Sequence, residues 1–190
     1  MKIGISLETT KVLRNTWHSV VNHEWYDFLS GHSLQPLICH DKYNAKDFDL
    51  IILCGGNDMP GMPTWRDNSY PIRDQFEKDL LNDAIEHKVP VVGICRGSHF
   101  MNWALGGTLR YLPEPYDNVT VELENLTVTC HHTIAIDQLA SGFEILKQDK
   151  SGVIELSVDR QRRLLSVGWH PERSVNAHTR DMVLDLIGKL

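Results

Sequence analysis

Between Pro90 and Gly107 the chain reads as an apolar strand, a Gly-x-Cys-x-Gly turn and a helix, an order that constrains the fold more than any other feature. Val91-Val92-Gly93-Ile94 is a continuous apolar run of the kind buried on both faces of a parallel sheet. Phe100, Met101, Ala104 and Leu105 then recur at helical spacing until Gly106-Gly107 ends the helix. A residue at such a turn stands on strained backbone above the carboxyl edge of the sheet, and small neighbours leave room for adjacent elements. Cys95 holds that position, between Gly93 and Gly97. The free N–H groups and dipole of the new helix favour its thiolate, and the backbone N–H of Arg96 is placed to meet a developing oxyanion. Cys39, Cys54 and Cys130 lack this setting and read as ordinary core thiols.

The rest of the chain supplies a sheet for that turn. Ile3–Leu7, Pro36–Cys39, Leu50–Leu53 and Leu164–Val167 read as strands, the third stopped by Gly55-Gly56-Asn57-Asp58. Apolar periodicity predicts helices over Val20–Leu29, Arg73–Lys88 and Arg180–Leu190. Val119–Leu123, Leu126–Ile136 and Gly152–Val158 read as further strands with short turns between them, and Pro60–Pro63 and Pro113–Pro115 as surface loops. Strand–helix alternation followed by strands predicts a three-layer α/β/α fold, its central sheet mostly parallel with extra antiparallel strands. A length of 190 residues suits a single domain over 1–190.

Composition narrows the partners. Hydrophobic residues are 42% and charged residues 23%, the balance of a soluble globular chain. A net charge of -6 without any Lys/Arg run argues against nucleic acid and against an anionic membrane surface. Leu50–Cys54, the most apolar stretch, is too short to span a bilayer, and the opening residues read as a strand rather than an export signal. A cytoplasmic location with reduced thiols is expected.

Gly168-Trp169-His170-Pro171-Glu172 follows the last apolar strand, so His170 also lies just past a carboxyl strand end, where open α/β sheets build their sites. An imidazole there can take the Cys95 proton and return it to a leaving amine, while Glu172 accepts the other ring proton and Pro171 stiffens the link. His131 and His132 raise the question of a metal. The His, Cys and acidic residues show no tight ligand spacing, however, and neither a metal nor another cofactor is expected. On a strand these two histidines point to opposite faces, so at most one is expected to face a site. Asp58 could meet a substrate amine or cap its own turn, and Arg73-Asp74 could reach substrate or serve the helix start. Trp65, Arg66 and Tyr70 could wall a leaving-group pocket or be exposed loop residues.

Several stretches together carry a family resemblance: Leu53-Cys54-Gly55-Gly56-Asn57-Asp58, Arg73-Asp74, Val92 to Gly97, Asn102 to Leu109, Cys130-His131-His132 and Trp169-His170-Pro171-Glu172. Over nearly its whole length the chain resembles the class I glutamine amidotransferase-like superfamily, in particular its free-standing γ-glutamyl hydrolase branch, peptidase family C26. The resemblance implies a flavodoxin-like fold and a hydrolase that cuts a C–N bond through a glutamyl thioester. It implies Cys95, His170 and Glu172 as the catalytic residues and the backbone N–H groups of Gly56 and Arg96 as the oxyanion hole. Asn57, Asp58, Arg73, His99, His131 and His132 are then expected around a small-molecule γ-glutamyl substrate.

Two positions depart from the family pattern, His99 and Gly168, each standing where relatives carry Gln. The short build and the segment Asn22 to Leu29 resemble the γ-glutamyl-CDP-amidate hydrolases of capsule phosphoramidate synthesis. γ-Glutamyl-GABA or polyamine hydrolases share the same chemistry. A glutaminase subunit feeding ammonia to a partner synthetase is a third reading, and a non-catalytic binding module a fourth.

Overall fold

The structure is a computed structural model that describes residues 1–12, 16–64, 68–174 and 176–190. The continuous apolar runs form the centre of one sheet. Strands β1 (Lys2–Ser6), β4 (Ser33–Leu37), β5 (Leu50–Leu53), β6 (Val91–Ile94) and β11 (Leu164–Val167) run parallel in the order β4-β1-β5-β6-β11. Strands β10 (Ile154–Asp159) and β9 (Glu144–Gln148) extend that sheet antiparallel beyond β11.

Side chains alternate across the sheet, so each central strand feeds two cores. On β5, Leu50 and Ile52 join one cluster while Ile51 and Leu53 join the other. Helices α2 (Pro71–Glu86) and α3 (Arg96–Ala104) cover the second cluster with Leu80, Leu81, Ala84, Phe100 and Met101. Helices α1 (Glu24–Phe28) and α4 (Ala177–Gly188) cover the first with Trp25, Phe28, Val183 and Ile187. The result is the expected three-layer α/β/α arrangement. No helix among the described residues is long and apolar enough to cross a membrane.

Three expectations are corrected. The helix predicted over Val20–Leu29 is only Glu24–Phe28, and before it β2 (Glu8–Val12) pairs antiparallel with β3 (Thr16–Val20). Thr9, Thr10, Thr16 and Trp17, which the sequence reading assigns to no element, are strand formers, and Val20 ends β3 instead of starting the helix. The strands expected at Val119–Leu123 and Leu126–Ile136 belong to a longer arm, β7 (Thr108–Leu123) against β8 (Leu126–Gln138), which forms a separate two-stranded sheet, whereas the one expected at Gly152–Val158 is β10 of the main sheet. Pro113–Pro115 therefore lies inside a strand rather than in a loop. The ladder jumps from Tyr111 to Tyr116 there, and prolines, lacking N–H donors, are tolerated at such an irregularity.

Contact between the first turn of α3 and the sheet is close enough to exclude side chains. A Cβ on Gly97 would lie 1.9 Å from the Leu53 carbonyl oxygen, and one on Gly93 would lie 2.5 Å from the Gly97 oxygen. Backbone on backbone has no soft end that can move aside. Gly97→Ala is expected to destabilise the chain by about 1–3 kcal/mol or more, read from the midpoint of urea unfolding. An unchanged midpoint would contradict this close approach.

Candidate active site

Cys95 leaves the end of β6 and caps α3 with φ of +51°, in the left-handed region. A non-glycine residue held there costs about 1–3 kcal/mol, so its neighbours must fix it. Its N–H donates to the Val167 carbonyl at 2.8 Å, and its own carbonyl accepts from the N–H and the hydroxyl of Ser98 at 3.0 and 2.8 Å. The turn thus ties β6, β11 and α3 together at the carboxyl edge of the sheet.

His170 stands beyond the end of β11, 7% exposed, with Nδ1 2.7 Å from Oε1 of Glu172. The carboxylate takes the Nδ1 proton and leaves Nε2 for the Cys95 thiol. Burial opposes ionisation of Cys95, but the charge and hydrogen bond of His170 outweigh it, helped by the His132 charge and the backbone N–H of Arg96. The thiol is therefore held below its ordinary value. Burial likewise opposes the imidazolium, and the Cys95 charge and hydrogen bond, with Glu172 behind them, raise His170 well above the usual histidine range. Both shifts favour a thiolate–imidazolium pair.

The Arg96 N–H lies at the first helical position of α3 and points to the thiol, so it has no partner within the helix. Gly56 faces it across the cavity with φ of +96°, and a Cβ there would lie 2.3 Å from the Glu8 side chain. Gly55 is pressed against the reacting pair itself: a Cβ on it would lie 2.9 Å from Cε1 of His170 and 3.6 Å from Cβ of Cys95.

One buried charge network holds both sides of this cleft. Glu77 accepts from Nε of Arg73 at 2.8 Å, from the Ser6 hydroxyl at 2.6 Å and from Nη1 of Arg96. Arg73 spends its other donors on the carbonyls of Gly55 at 3.0 Å and Cys54 at 2.8 Å and on Oδ1 of Asn57 at 2.7 Å. Arg96 Nη2 reaches Asp74, and the guanidinium lies 4.8 Å over the Phe100 ring. Burial works against the Glu77 carboxylate, yet the charges of Arg73 and Arg96 keep it below the usual carboxylate range.

Cys95, Arg96, Gly56 and His170 open onto a cavity of about 570 Å³. Among the other residues expected near substrate, His99, His131 and His132 line that cavity. Burial, then the charges of His132 and Arg96, push His99 well below the usual range and leave it neutral. Both histidines of the β8 pair reach the cavity, which corrects the expectation that only one would. The β7–β8 ladder shifts register between Asp117 and Val119, beside His131 and Cys130. His131 stands near the mouth, its ring 6.0 Å from that of His170, while His132 lies deeper with Nε2 3.2 Å from Glu155.

Arg73 does not line the cavity: it is fully buried and its donors are spent on the network. Asn57 lines it, but its amide accepts from Thr9 N–H at 3.0 Å and donates to the carbonyls of Thr9 and Asn68 at 2.5 and 2.7 Å. Its role is to tie β2 to the Gly55-Gly56 loop. Asp58 lines the cavity and also caps its loop: its carboxylate accepts from the Thr64 hydroxyl at 2.5 Å and from Asn68 N–H at 3.1 Å. Tyr70 stacks on Trp17 at 4.6 Å and bonds His40 at 3.0 Å, whereas Trp65 and Arg66 lie outside the described residues.

Sequence reasoning missed Glu8 and Arg173 on the cavity wall, and Glu77 and Glu155 behind it. Only Glu77 had a visible signal, its i,i+4 spacing from Arg73 on a predicted helix. Spacing along the chain does not reveal that the fold gathers Cys130, His132 and Glu155 into one buried cluster.

The Peptidase C26 family pattern matches residues 7–120 and 114–172. A Mycobacterium tuberculosis protein named as a candidate glutamine amidotransferase is 36% identical over 135 residues, covering 58% of this chain and 44% of that protein. The γ-glutamyl-CDP-amidate hydrolase of Campylobacter jejuni is 27% identical over 131 residues, covering 65% of this chain and 62% of that enzyme. The chain thus spans less than two thirds of either relative. A crystal structure from Thermoplasma acidophilum, described as a candidate GMP synthase component, superposes with a TM-score of 0.75 over 100% of this chain and 93% of that one at 16% identity. That likeness gives the fold.

Two outcomes follow from the site's electrostatics. Iodoacetamide should alkylate Cys95 with a half-maximal rate below pH 9, since the thiolate appears as pH rises through a depressed value. In His170→Ala the midpoint should move upward, because burial then acts on the thiol without its counter-charge. Peptide mapping of the alkylated chain reads both, and identical profiles would contradict the pairing. Separately, Glu77→Ala leaves two buried guanidinium groups without their carboxylate and should cost about 3–5 kcal/mol in urea unfolding.

Proposed function

We propose that this chain, which belongs to the Peptidase C26 family, hydrolyses a γ-glutamyl amide through a thioester on Cys95. The observation that carries the reading is the series Cys95–His170–Glu172, in which Glu172 holds His170 Nδ1 and Cys95 and His170 line the cavity, with Arg96 N–H aimed at the sulfur. The Cys95 thiolate attacks the γ-carbonyl carbon, and the carbonyl π electrons move onto oxygen. Backbone N–H groups of Arg96 and Gly56 receive that oxyanion, each such donor lowering the barrier by roughly 3–4 kcal/mol. As the C–N bond breaks, the His170 imidazolium gives its Nε2 proton to the departing nitrogen, leaving a glutamyl thioester. His170, now neutral, takes a proton from water, the hydroxide adds to the thioester, and glutamate leaves with the thiolate restored. Glu172 keeps the ring in the tautomer that both half-reactions need.

For the leaving group, the favoured reading is the CDP-amidate. It is supported by the likeness to the Campylobacter enzyme and by a cavity roomy enough for a nucleotide-sized group with His131 and Arg173 on its wall. A panel of γ-glutamyl amides compared by kcat/KM tests it. γ-Glutamyl-CDP-amidate should exceed the GABA, putrescine and glutamine amides by at least about tenfold. Preference for GABA or putrescine would transfer the activity to the amine hydrolases. Glutamine turnover stimulated by a co-purifying synthetase would make the chain a glutaminase subunit.

The nucleophile is tested independently of that choice. Cys95→Ala should lose turnover of every member of the panel while keeping its thermal unfolding transition. Full activity in that variant would remove the mechanism.

A further inference from the structure

Behind the cavity, β8 and β10 bring together a thiol, an imidazole and a carboxylate that take no direct part in the bond-making and bond-breaking steps of the proposed hydrolysis. The ligating atoms of Cys130, His132 and Glu155 lie within 4.8 Å of one another, and all three residues are buried. Cys130 and His132 share the inward face of β8, and Glu155 meets them from the neighbouring layer across a gap of 23 positions in sequence. Sulfur, nitrogen and oxygen in one set is a donor combination that suits Zn²⁺, and three protein donors leave a fourth position open.

Two further features prepare the cluster for a cation. His132 has Nδ1 committed to the Ile134 carbonyl at 2.8 Å, the outer contact that orients metal-binding imidazoles and turns Nε2 toward the ligand. Glu155 has one oxygen, Oε2, that is buried without a hydrogen-bond partner. The fold makes room for that oxygen deliberately: a Cβ on Gly168 would lie 2.1 Å from it. A buried polar atom left without a partner costs about 1–3 kcal/mol, and a cation bound by the carboxylate would offset that cost. Entry is available because His132 lines the cavity.

We propose that Cys130, His132 and Glu155 form a binding site for one thiophilic divalent cation, of the class represented by Zn²⁺. Binding releases the thiol proton of Cys130, His132 ligates through Nε2 as a neutral imidazole, and no redox step is involved. Because His132 faces the Cys95 cavity, occupancy couples this site to the hydrolytic one.

The test uses the full chain with Cys95→Ser, so that Cys95 cannot itself supply the sulfur ligand. Titration with Co²⁺ should give thiolate-to-metal charge-transfer absorption that saturates at one equivalent and is displaced by Zn²⁺. Adding Cys130→Ala should abolish the absorption and weaken Zn²⁺ binding at least about tenfold. Glu155→Gln, close to isosteric, should keep the absorption while weakening affinity by a similar factor, which covers the case in which Cys130→Ala fails to fold. Thermal unfolding without metal shows whether each variant is folded. Zn²⁺ should raise the melting temperature of the Cys95→Ser chain and of no variant lacking Cys130. Absence of thiolate absorption, its survival in Cys130→Ala, or unchanged affinity in Glu155→Gln would each overturn the site.

Discussion

The buried carboxylate of Glu77 is the contact on which the rest of the cleft depends. It joins Arg73, which grips the backbone of the Gly55-Gly56 loop, to Arg96, whose own N–H meets the Cys95 sulfur. Buried ion pairs of this kind recover little more than their desolvation cost, so their contribution is better sought in geometry than in net stability. Here the geometry is specific. The two backbone segments proposed to receive an oxyanion follow different strands, β5 and β6, and the Arg73–Glu77–Arg96 chain cross-links them through side chains. Ser6 brings β1 into the same network.

Against that rigid base, the strained φ of Cys95 becomes intelligible. The backbone is held by β11 in front and by Ser98 behind, so the thiol stands over a helix N-terminus in a pocket that also contains a carboxylate-backed imidazole. Three influences oppose the desolvation that would otherwise keep the sulfur protonated: the His170 charge, the His132 charge and the Arg96 N–H. None of them is local in sequence to Cys95 except the last. A strand-to-helix turn creates the position, and the sheet edge gathers the groups that activate it.

Legibility in the sequence followed the same division. Leu50–Leu53, Val91–Ile94 and Leu164–Val167 were readable because strands buried on both faces are written as unbroken apolar runs. Cys95 and His170 were readable because each sits immediately after such a run. The β2–β3 pair was not, since its residues are half polar and its placement rests on the Asn57 amide, some 48 positions away. For Arg73 both a substrate contact and a structural use are readable, but an arginine at a helix start does not reveal that its donors go to Glu77, to Asn57 and to the carbonyls of Cys54 and Gly55 just past β5. Glu155 left no trace at all, because its meaning comes from His132 and Cys130 on another strand. His131 and His132 do alternate along β8, His132 inward with Cys130 and His131 less buried beside His170, yet the cavity is bounded by both, which strand periodicity alone does not reveal.

The central claim is that Cys95, alone among the cysteines, is an activated thiolate aimed at a γ-glutamyl carbonyl. Incubating the chain with a γ-glutamyl electrophile and mapping the adduct by mass spectrometry tests this most directly. The account predicts one glutamyl group on Cys95 and none on Cys39, Cys54 or Cys130, with labelling suppressed in His170→Ala. An unlabelled Cys95, or a label distributed over the other thiols, would contradict it.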